Sequence, residues 1–165
     1  MDKTGNMAAS NHPLRFPLFL DLTQKQVTVV GGGNIAARRT LVLLDFVRKI
    51  TVIAPEIRPE LESLALEARI DVRKRKFEPD DLNNADLVIT ATGVAEVDNW
   101  VWRLCREKHI PVNVSADQSK CDFFFPGIAR KNNLVAGITA GGTDHSLVKR
   151  VTEAVRALLD QLSEP

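Results

Sequence analysis

Three consecutive glycines, Gly31, Gly32 and Gly33, form the segment of this sequence best suited to bind a phosphate. They follow the β-branched segment Gln26–Val30 and precede a stretch with helical periodicity, so that the residues from Gly31 to Ala36 fit the pattern G-x-G-x-x-A between a strand and a helix. In this pattern Gly31 permits a tight turn, Gly33 lets the backbone approach a pyrophosphate, and the alanine keeps the helix close to the strand. The N–H groups at the helix N-terminus attract the phosphate charge. The glycine turn, Gly31–Gly33, therefore predicts a dinucleotide site, with a turn that binds no ligand as the alternative.

The sequence indicates the residue that would contact the ribose hydroxyls less clearly than it indicates the glycine turn. An acid is expected about 20 residues after the glycine turn, at the end of the second strand, but that strand ends at Ala54-Pro55 and the nearest acid is Glu56. Glu56 is a candidate for this contact. The equal alternative is that Glu56 is only an exposed residue at the start of the next helix. Arg58 lies beyond the usual place for a 2′-phosphate contact, so the sequence favours NAD over NADP. Thr92, at the end of the fourth strand, is a further candidate because the loops after the strands overhang the cofactor in such sheets, and an ordinary strand-to-helix turn is the equal alternative.

The elements that must position these residues alternate between strands and helices. Strands are predicted at Gln26–Val30, Ile50–Ala54, Asp71–Phe77, Ala85–Ala91 and Pro111–Val114, and helices at Ile35–Val47, Pro59–Arg69 and Val97–Lys108. An apolar run at Phe16–Leu20 is a candidate edge strand, where Pro17 is tolerated. Alternation of this kind implies right-handed crossovers and a parallel sheet covered on both faces. The predicted fold class is therefore α/β, with a doubly wound Rossmann-type sheet.

The pattern changes after residue 120. Two apolar segments flank Arg130–Asn133, which is typical of a hairpin turn, and Asp144–Leu162 predicts a final helix with one apolar stripe. We therefore predict a disordered leader at residues 1–14, a nucleotide-binding Rossmann domain at residues 15–115 and a small ββα segment at residues 116–165. The apolar stripe suits a dimer interface, and it equally suits packing within one chain.

The composition limits the class of protein. A length of 165 residues suffices for one domain with a hydrophobic core, and 22 basic against 21 acidic residues lack the basic excess that nucleic acid binding usually requires. Cys105 and Cys121 form neither a disulfide framework nor a zinc motif, and no metal site is predicted. The sequence shows neither an apolar run long enough to span a membrane nor a signal sequence. We therefore expect a soluble cytoplasmic protein that binds neither nucleic acid nor membranes.

Several motifs occur in the order found in one enzyme family. They are Phe16–Phe19, Val29–Ala36 with Arg38, Asp86–Thr92, Val112–Asp117, Cys121–Pro126 and Gly141–Thr143. On these motifs the chain resembles the precorrin-2 dehydrogenase/sirohydrochlorin ferrochelatase family, which is the N-terminal module of siroheme synthase. The glycine turn is common to many families, whereas the loop from Asn113 to Asp117, the C-D-F-F-F-P run and the G-G-T helix start are together specific.

The resemblance implies an NAD-dependent oxidation of precorrin-2 to sirohydrochlorin and, in some members, insertion of ferrous iron to give siroheme. By position, Asn34-Ile35 and Pro55-Glu56 would line the NAD site, and Asp117 would be the catalytic aspartate. Members form homodimers through the second domain. Their substrate carries many carboxylates, so a basic rim is expected, and the candidates are Arg38, Lys120, Arg130, Lys149 and Arg150.

The chemistry of the reaction gives Asp117 a role. Oxidising a reduced tetrapyrrole releases a hydride to the nicotinamide and a proton to a base, and a carboxylate at the carboxyl end of the sheet is suitably placed to accept that proton. The alternative for Asp117 is a loop residue that forms an Asx turn. Asp122 is a competing acid, but its position before the phenylalanine run favours a residue at a strand edge.

Departures from the family pattern leave other functions open. Many relatives have their acid at the position of Ala116, and their last helix starts G-G-T-S-P instead of G-G-T-D-H-S, although Asp144 is a suitable N-cap. His145 is either a solvated first-turn residue or a ligand. Many relatives also continue past the position of Pro165 into a further helical segment. The main alternative function is an NAD-binding sensor or scaffold without catalysis. An unrelated dehydrogenase is a third, but the chain has no tyrosine for a Tyr-x-x-x-Lys motif.

Overall fold

The computed structural model describes residues 15–162 and shows a parallel sheet with helices. The predicted leader lies outside these residues. The strands are β1 (Gln26–Val30), β2 (Lys49–Ile53), β3 (Asp71–Arg73), β4 (Leu87–Thr90) and β5 (Val112–Val114), and the helices between them are α1 (Asn34–Leu43), α2 (Pro59–Leu66) and α3 (Ala95–Glu107). The strand order is β3-β2-β1-β4-β5, and all pairings are parallel. The predicted doubly wound Rossmann-type fold is confirmed, and the strand order reverses between β1 and β4, where such sheets bind dinucleotides.

The central strands are buried on both faces, which explains their continuous apolar sequences. Val29 of β1, Val52 of β2 and Ile89 of β4 are all fully buried. Helix α3 contributes Val101 and Cys105 to the core that contains Val30 and Val88. Because helices cover both faces of the sheet, the strands do not show the alternation of polar and apolar residues that a one-sided sheet shows.

The predicted edge strand at Phe16–Leu20 is wrong, because this segment has no strand structure. The Phe16 side chain is 87% exposed, and Pro17 cannot donate a backbone hydrogen bond to a neighbouring strand. The third strand is shorter than predicted and ends at Arg73. The side chain of Arg73 forms an ion pair with Asp81, which also accepts hydrogen bonds from Arg75.

The chain divides into two compact units, and the boundary lies later than residue 115. One unit comprises residues 20–124, and the other comprises residues 15–19 together with 125–162 of the described chain. The segment after β5 remains with the sheet because it is hydrogen-bonded to that strand. Asp122 N donates to Val112 O at 2.9 Å, Val112 N donates to the Asp122 carboxylate at 3.0 Å, and Asn113 Nδ2 donates to Phe123 O at 2.7 Å.

The second unit contains the predicted ββα segment. Strands β6 (Gly127–Lys131) and β7 (Leu134–Ile138) form an antiparallel hairpin, and helix α4 (His145–Leu162) packs on it. A Cβ at Gly127 would overlap Thr152 Oγ1, so a glycine at this position allows the helix to lie close to the hairpin. Asp144 caps α4 as predicted, since its Oδ1 accepts a hydrogen bond from Leu147 N at 2.8 Å.

The apolar stripe predicted on α4 is divided between two environments. Leu159 is buried against the hairpin side of the unit, and Val148 and Val155 are half-buried. Leu147, Val151, Leu158 and Leu162 are 37–72% exposed in this chain. Their spacing places these four residues on one face of the helix. Only part of the stripe is therefore used for packing within the unit.

Candidate functional site

The glycine turn after β1 is packed directly against the end of β4. Gly31 has φ of +122°, a region that side-chain-bearing residues rarely adopt. A Cβ here would overlap the carbonyl oxygen of Ala91 and lie 3.0 Å from Thr92 N. The predicted role of Gly31 in the tight turn is thus matched by its geometry, and the turn cannot move away from β4 without losing this contact.

Gly32 supports the site in a way that the sequence pattern does not indicate. A Cβ at this position would overlap the carbonyl oxygen of Glu56 and lie 2.9 Å from Ile57 Cα. The Gly32 carbonyl accepts a hydrogen bond from Arg58 N at 2.9 Å. The middle glycine therefore lets the loop after β2 approach the glycine turn. Its signal in the sequence is a third glycine at a position where the dinucleotide pattern accepts any residue.

The start of α1 is open to a ligand. A Cβ at Gly33 would have no atom within 4 Å, and Asn34 and Ile35 are exposed. No side chain caps this end of the helix, and its first turn contains no acidic residue. The first N–H groups of a helix have no partner within the helix and attract anions. The residues present therefore fit the pyrophosphate of a dinucleotide.

Pro55 and Glu56 lie on the neighbouring loop, at the carboxyl end of β2, and both are exposed. Among residues 15–162 the structure records no hydrogen bond or ion pair to the Glu56 carboxylate. Arg58, the nearest cation in sequence, pairs with Glu60 at 3.3 Å. The carboxylate is therefore available to accept hydrogen bonds from ribose hydroxyls, while the arginine that would favour a 2′-phosphate already has a partner.

Thr92 and Gly93 form the turn after β4. Hydrogen bonds connect Thr92 to the carboxylate of Asp98, a residue that sequence reasoning missed. Asp98, in the first turn of α3, is 3% exposed. Its Oδ1 accepts hydrogen bonds from Thr92 Oγ1 at 2.7 Å, from Thr92 N at 3.2 Å and from the Thr90 hydroxyl. Gly93 has φ of +73°. The signal in the sequence is an acid near the start of the helix that follows a predicted cofactor loop.

Asp117 lies in the loop after β5 and is held within that loop. Its Oδ1 accepts hydrogen bonds from Ser119 N at 3.0 Å and Ser119 Oγ at 2.6 Å, and its Oδ2 pairs with Lys120 at 2.8 Å. Lys120 and Ser119 lower the pKa of Asp117 to about 2. The carboxylate is therefore ionised at neutral pH and is 37% exposed. Its geometry is that of the Asx turn considered above, and it leaves the carboxylate within reach of solvent.

Lys120 links the Asp117 loop to α3. Its Nζ donates to Asn99 Oδ1 at 2.7 Å and lies 5.7 Å from the centre of the Trp102 ring. This cation is one of the five predicted for a basic rim. Asp122, the competing acid, lies at the other end of β5, where its carboxylate accepts from Val112 N and pairs with Arg106 at 3.1 Å. Asp122 lies outside the strands, and its carboxylate is bonded to the backbone at the start of β5.

Arg39 is a second residue that sequence reasoning missed. It extends from α1 to the end of β5, where Nη1 donates to Asn113 Oδ1 and to Ser115 Oγ at 2.6 Å. Burial, followed by the charge of Arg38, lowers the pKa of its guanidinium. Arg38 belongs to the family motifs and is exposed, whereas its neighbour Arg39 connects α1 with the start of the Asp117 loop.

The sheet brings the candidate residues to one edge. In the strand register Val30 pairs with Ile53 and with Thr90, and Thr90 pairs with Val114. The segments that follow these residues carry the glycine turn, Pro55-Glu56, Thr92 and Asp117. The candidates Asp144 and His145 belong to the other compact unit, where His145 is an exposed residue in the first turn of α4.

Residues 15–162 contain neither a metal-binding cluster nor a membrane-spanning helix. In this part of the chain no three His, Cys, Asp or Glu side chains are grouped so that they could hold a metal ion. None of its helices has both the length and the apolar character needed to cross a membrane.

Comparison with known proteins identifies the same type of domain. A family model described as "Putative NAD(P)-binding" matches residues 18–127. A protein named "Probable multifunctional siroheme biosynthesis protein HemA" from Ruminiclostridium josui is 39% identical over 145 residues, which are 87% of this chain and 28% of the relative. The siroheme synthase of Zymomonas mobilis is 36% identical over 145 residues, which are 88% of this chain and 31% of the relative.

Among solved structures, the chain is similar to SirC, a precorrin-2 dehydrogenase. The TM-score is 0.74 at 27% sequence identity, and the match covers 87% of this chain and 71% of SirC. The resemblance predicted from the sequence motifs is therefore confirmed. The chain spans only about 30% of the length of the first siroheme relatives that it matches.

Proposed function

Because the chain belongs to the NAD(P)-binding family whose model matches residues 18–127, we propose that it is an NAD-dependent dehydrogenase that oxidises precorrin-2 to sirohydrochlorin. The observation that carries this proposal is the carboxyl edge of the sheet, where a glycine turn open to a pyrophosphate follows β1 and a loop with an ionised, partly exposed carboxylate follows β5. Siroheme synthases and the precorrin-2 dehydrogenase SirC, to which the chain is similar, support the choice of substrate.

The cofactor would bind along the carboxyl edge of the sheet. The first turn of α1, with Gly33, Asn34 and Ile35, would hold the pyrophosphate, and Glu56 on the loop after β2 would accept hydrogen bonds from the ribose of the adenosine half. When bound, NAD supplies the hydride acceptor. A carboxylate near that ribose repels a 2′-phosphate, so we propose NAD as the cofactor in preference to NADP.

Asp117 would accept the proton that leaves the substrate during oxidation. The carboxylate is ionised and partly exposed, so it can take up a proton from a bound substrate. With a pKa of about 2 it holds a proton weakly while Lys120 remains paired with it. An anionic substrate that draws Lys120 away would raise the pKa of Asp117 and make it a better base. Lys120 would thus bind the substrate and also set the basicity of Asp117.

The proposal is tested by following NADH formation from precorrin-2 and NAD. We expect turnover in the wild-type protein and a reduction of kcat by at least about 100-fold in Asp117→Ala, which is the lower range for loss of a general base. Asp122→Ala is the matched control, because that carboxylate lies at the other end of β5. NAD binding without turnover in the wild-type protein would contradict the proposal.

A binding module without catalysis is the second candidate. The specific observation in its favour is that Ser119 and Lys120 hold the Asp117 carboxylate within its own loop. The family resemblance points the same way, because it places the acid of many members at the position of Ala116. This candidate predicts that NAD binds with the same affinity in the wild-type protein and in Asp117→Ala, and that neither protein forms NADH from precorrin-2.

Three further features complete the proposal. We propose a homodimer that uses the exposed face of α4, because four apolar residues of that helix are uncovered within the chain. We place the protein in the cytoplasm, where a dehydrogenase has access to NAD.

The family resemblance also predicts iron insertion into sirohydrochlorin, with ferrous ion as a substrate. Incubation with sirohydrochlorin and ferrous ion, followed by the absorption spectrum of siroheme, tests this step separately.

A further inference from the structure

We propose that Asp98 is a positioning residue for the nicotinamide half of the dinucleotide site, because it fixes the Thr92-Gly93 turn against the glycine turn. The inference rests on the proposed use of NAD, and it concerns a residue that neither the sequence motifs nor the comparisons indicate. Asp98 itself need not contact the cofactor. Its effect would be exerted through the backbone and the hydroxyl of Thr92.

The Asp98 carboxylate forms its hydrogen bonds with residues at the carboxyl end of β4. Three donors, the Thr90 hydroxyl, the Thr92 hydroxyl and Thr92 N, all point to its Oδ1. The Thr92 hydroxyl in turn accepts a hydrogen bond from Val94 N at 3.0 Å. One carboxylate oxygen therefore determines both the path of the backbone through the turn and the rotamer of Thr92.

The Thr92-Gly93 turn also packs against the glycine turn. The Thr92 nitrogen that donates to Asp98 lies 3.0 Å from the position of a Cβ at Gly31, and the Ala91 carbonyl lies closer still. A change in the Thr92 backbone would therefore alter the space around Gly31. Contacts continue without interruption from Asp98 through Thr92 to the glycine turn.

The second oxygen of Asp98 supports a role in the site over a role in stability. Oδ2 is buried and has no hydrogen-bond partner in the described part of the chain. A buried carboxylate oxygen without a partner is costly, so an aspartate is a poor choice for stability alone. The three hydrogen bonds at Oδ1 give a reason for an acceptor at this position.

The strand order assigns the turn to the nicotinamide half. In doubly wound sheets the dinucleotide crosses the switch point, and the residue after β2 serves the ribose of the adenosine half. Strand β4 lies on the other side of β1 from β2. The Thr92-Gly93 turn is therefore on the side that the nicotinamide half would occupy.

The test compares the affinity of the whole protein for NAD with its affinity for ADP, which has the adenosine half and the pyrophosphate but no nicotinamide. Calorimetric titration should show that Asp98→Ala raises the Kd for NAD about tenfold or more and changes the Kd for ADP less than about twofold. Asp98→Asn keeps an oxygen acceptor and should bind NAD within about threefold of the wild-type affinity. Asp122→Ala, which removes a carboxylate that also bonds a strand backbone, should leave both affinities unchanged.

A double-mutant cycle identifies the path of the effect. Thr90 is completely buried, so Thr90→Val can influence a ligand only through its neighbours. We expect Thr90→Val to weaken NAD binding about threefold alone and to have no further effect in Asp98→Ala, because both changes act on one network. If Asp98→Ala does not fold, Thr90→Val alone still tests the inference, because it should weaken NAD binding about threefold and leave the affinity for ADP unchanged.

Three results would overturn the inference: unchanged NAD affinity in Asp98→Ala, equal weakening of NAD and ADP, or additive effects of the two substitutions. These results differ from a failure of the proposed function. In that case the wild-type protein would bind neither nucleotide or would form no NADH from precorrin-2.

Discussion

At the scale of single residues, the three glycines meet three different requirements. Gly31 has a backbone conformation and a close neighbour that exclude a side chain, and Gly32 is limited by the loop after β2. Gly33 has neither restriction, since the space beyond its Cα is open. The first two glycines therefore belong to the folded chain itself, and the third is explained by a ligand.

Substitution of Gly31 and Gly33 by alanine separates these roles. Gly31→Ala should lower the free energy of unfolding by about 2 kcal/mol or more, because it combines a strained φ with an overlap with Ala91. Gly33→Ala should change it by less than about 1 kcal/mol but raise the Kd for NAD about tenfold. Denaturant unfolding and calorimetry give the two quantities. Equal stability of both variants would contradict this explanation.

The Asp117–Lys120 pair makes a prediction about titration. The pKa of Asp117 is lowered from 3.8 to about 2, so its contribution to stability is complete above about pH 4 and is lost as the pH falls towards 2. In Lys120→Met the pKa should rise towards 3.8 but stay below it, since Ser119 still donates. NMR titration of the carboxyl carbon measures the value. Lys149→Met, in the other unit, serves as the control, and an unchanged pKa in Lys120→Met would show that the ion pair does not form in solution.

At the scale of secondary-structure elements, the loops after the strands are held by residues from the helices. Asp98 of α3 holds the turn after β4, Lys120 bonds to Asn99 of the same helix, and Arg39 of α1 holds the end of β5. The edge of the sheet is thus fixed by side chains as well as by backbone pairing. Loops that are fixed before a ligand binds lose less entropy on binding.

Removal of Arg39 should loosen the loop after β5. In Arg39→Met the charge-assisted hydrogen bonds to Asn113 and Ser115 are lost, while most of the apolar stem is retained. We expect amide hydrogen exchange at Asp117 and Cys121 to become about tenfold faster, with no change at Val29 in the core. Arg38→Met, at the neighbouring exposed position, should leave all these rates unchanged. Equal protection in both variants would contradict an anchoring role.

At the scale of the whole molecule, the chain consists of a Rossmann unit that contains the candidate cofactor site and a ββα unit with an uncovered apolar face. The exposed residues of α4 at 147, 151, 158 and 162 recur at helical spacing. A contiguous apolar face of this kind is typical of an interface between proteins. A second copy of the chain would cover it by two-fold symmetry.

A charge placed on this face should separate the two copies. Val151→Glu and Leu158→Glu are each expected to shift the protein to a monomer in sedimentation experiments, because burial of an unpaired charge is unfavourable. Lys149→Glu, on the opposite side of the helix, should leave the oligomeric state unchanged. A monomeric wild-type protein at micromolar concentration would contradict the proposed dimer.

The sequence by itself determined the fold class, the position of the glycine turn and the ββα segment. These features depend on local pattern: buried strands are continuously apolar, helices repeat with a period near 3.6, and glycines mark a turn. Family motifs then supplied the candidate substrate and Asp117. The local pattern did not predict that Phe16–Leu20 forms no strand or that residues 116–124 stay with the sheet, because both depend on hydrogen-bond partners remote in the sequence.

Only the tertiary structure decided which polar side chains act together. Arg39 and Ser115 are 76 positions apart in the chain, and the pairing of β5 with the sheet brings them into hydrogen-bond distance. The same holds for Gly32 and the loop after β2, whose contact depends on the parallel register of β1 and β2. Asp98 is near Thr92 in sequence, but its burial and its three converging donors depend on how α3 packs on β4. Such contacts follow from the packing of elements, which the order of residues along one element does not specify.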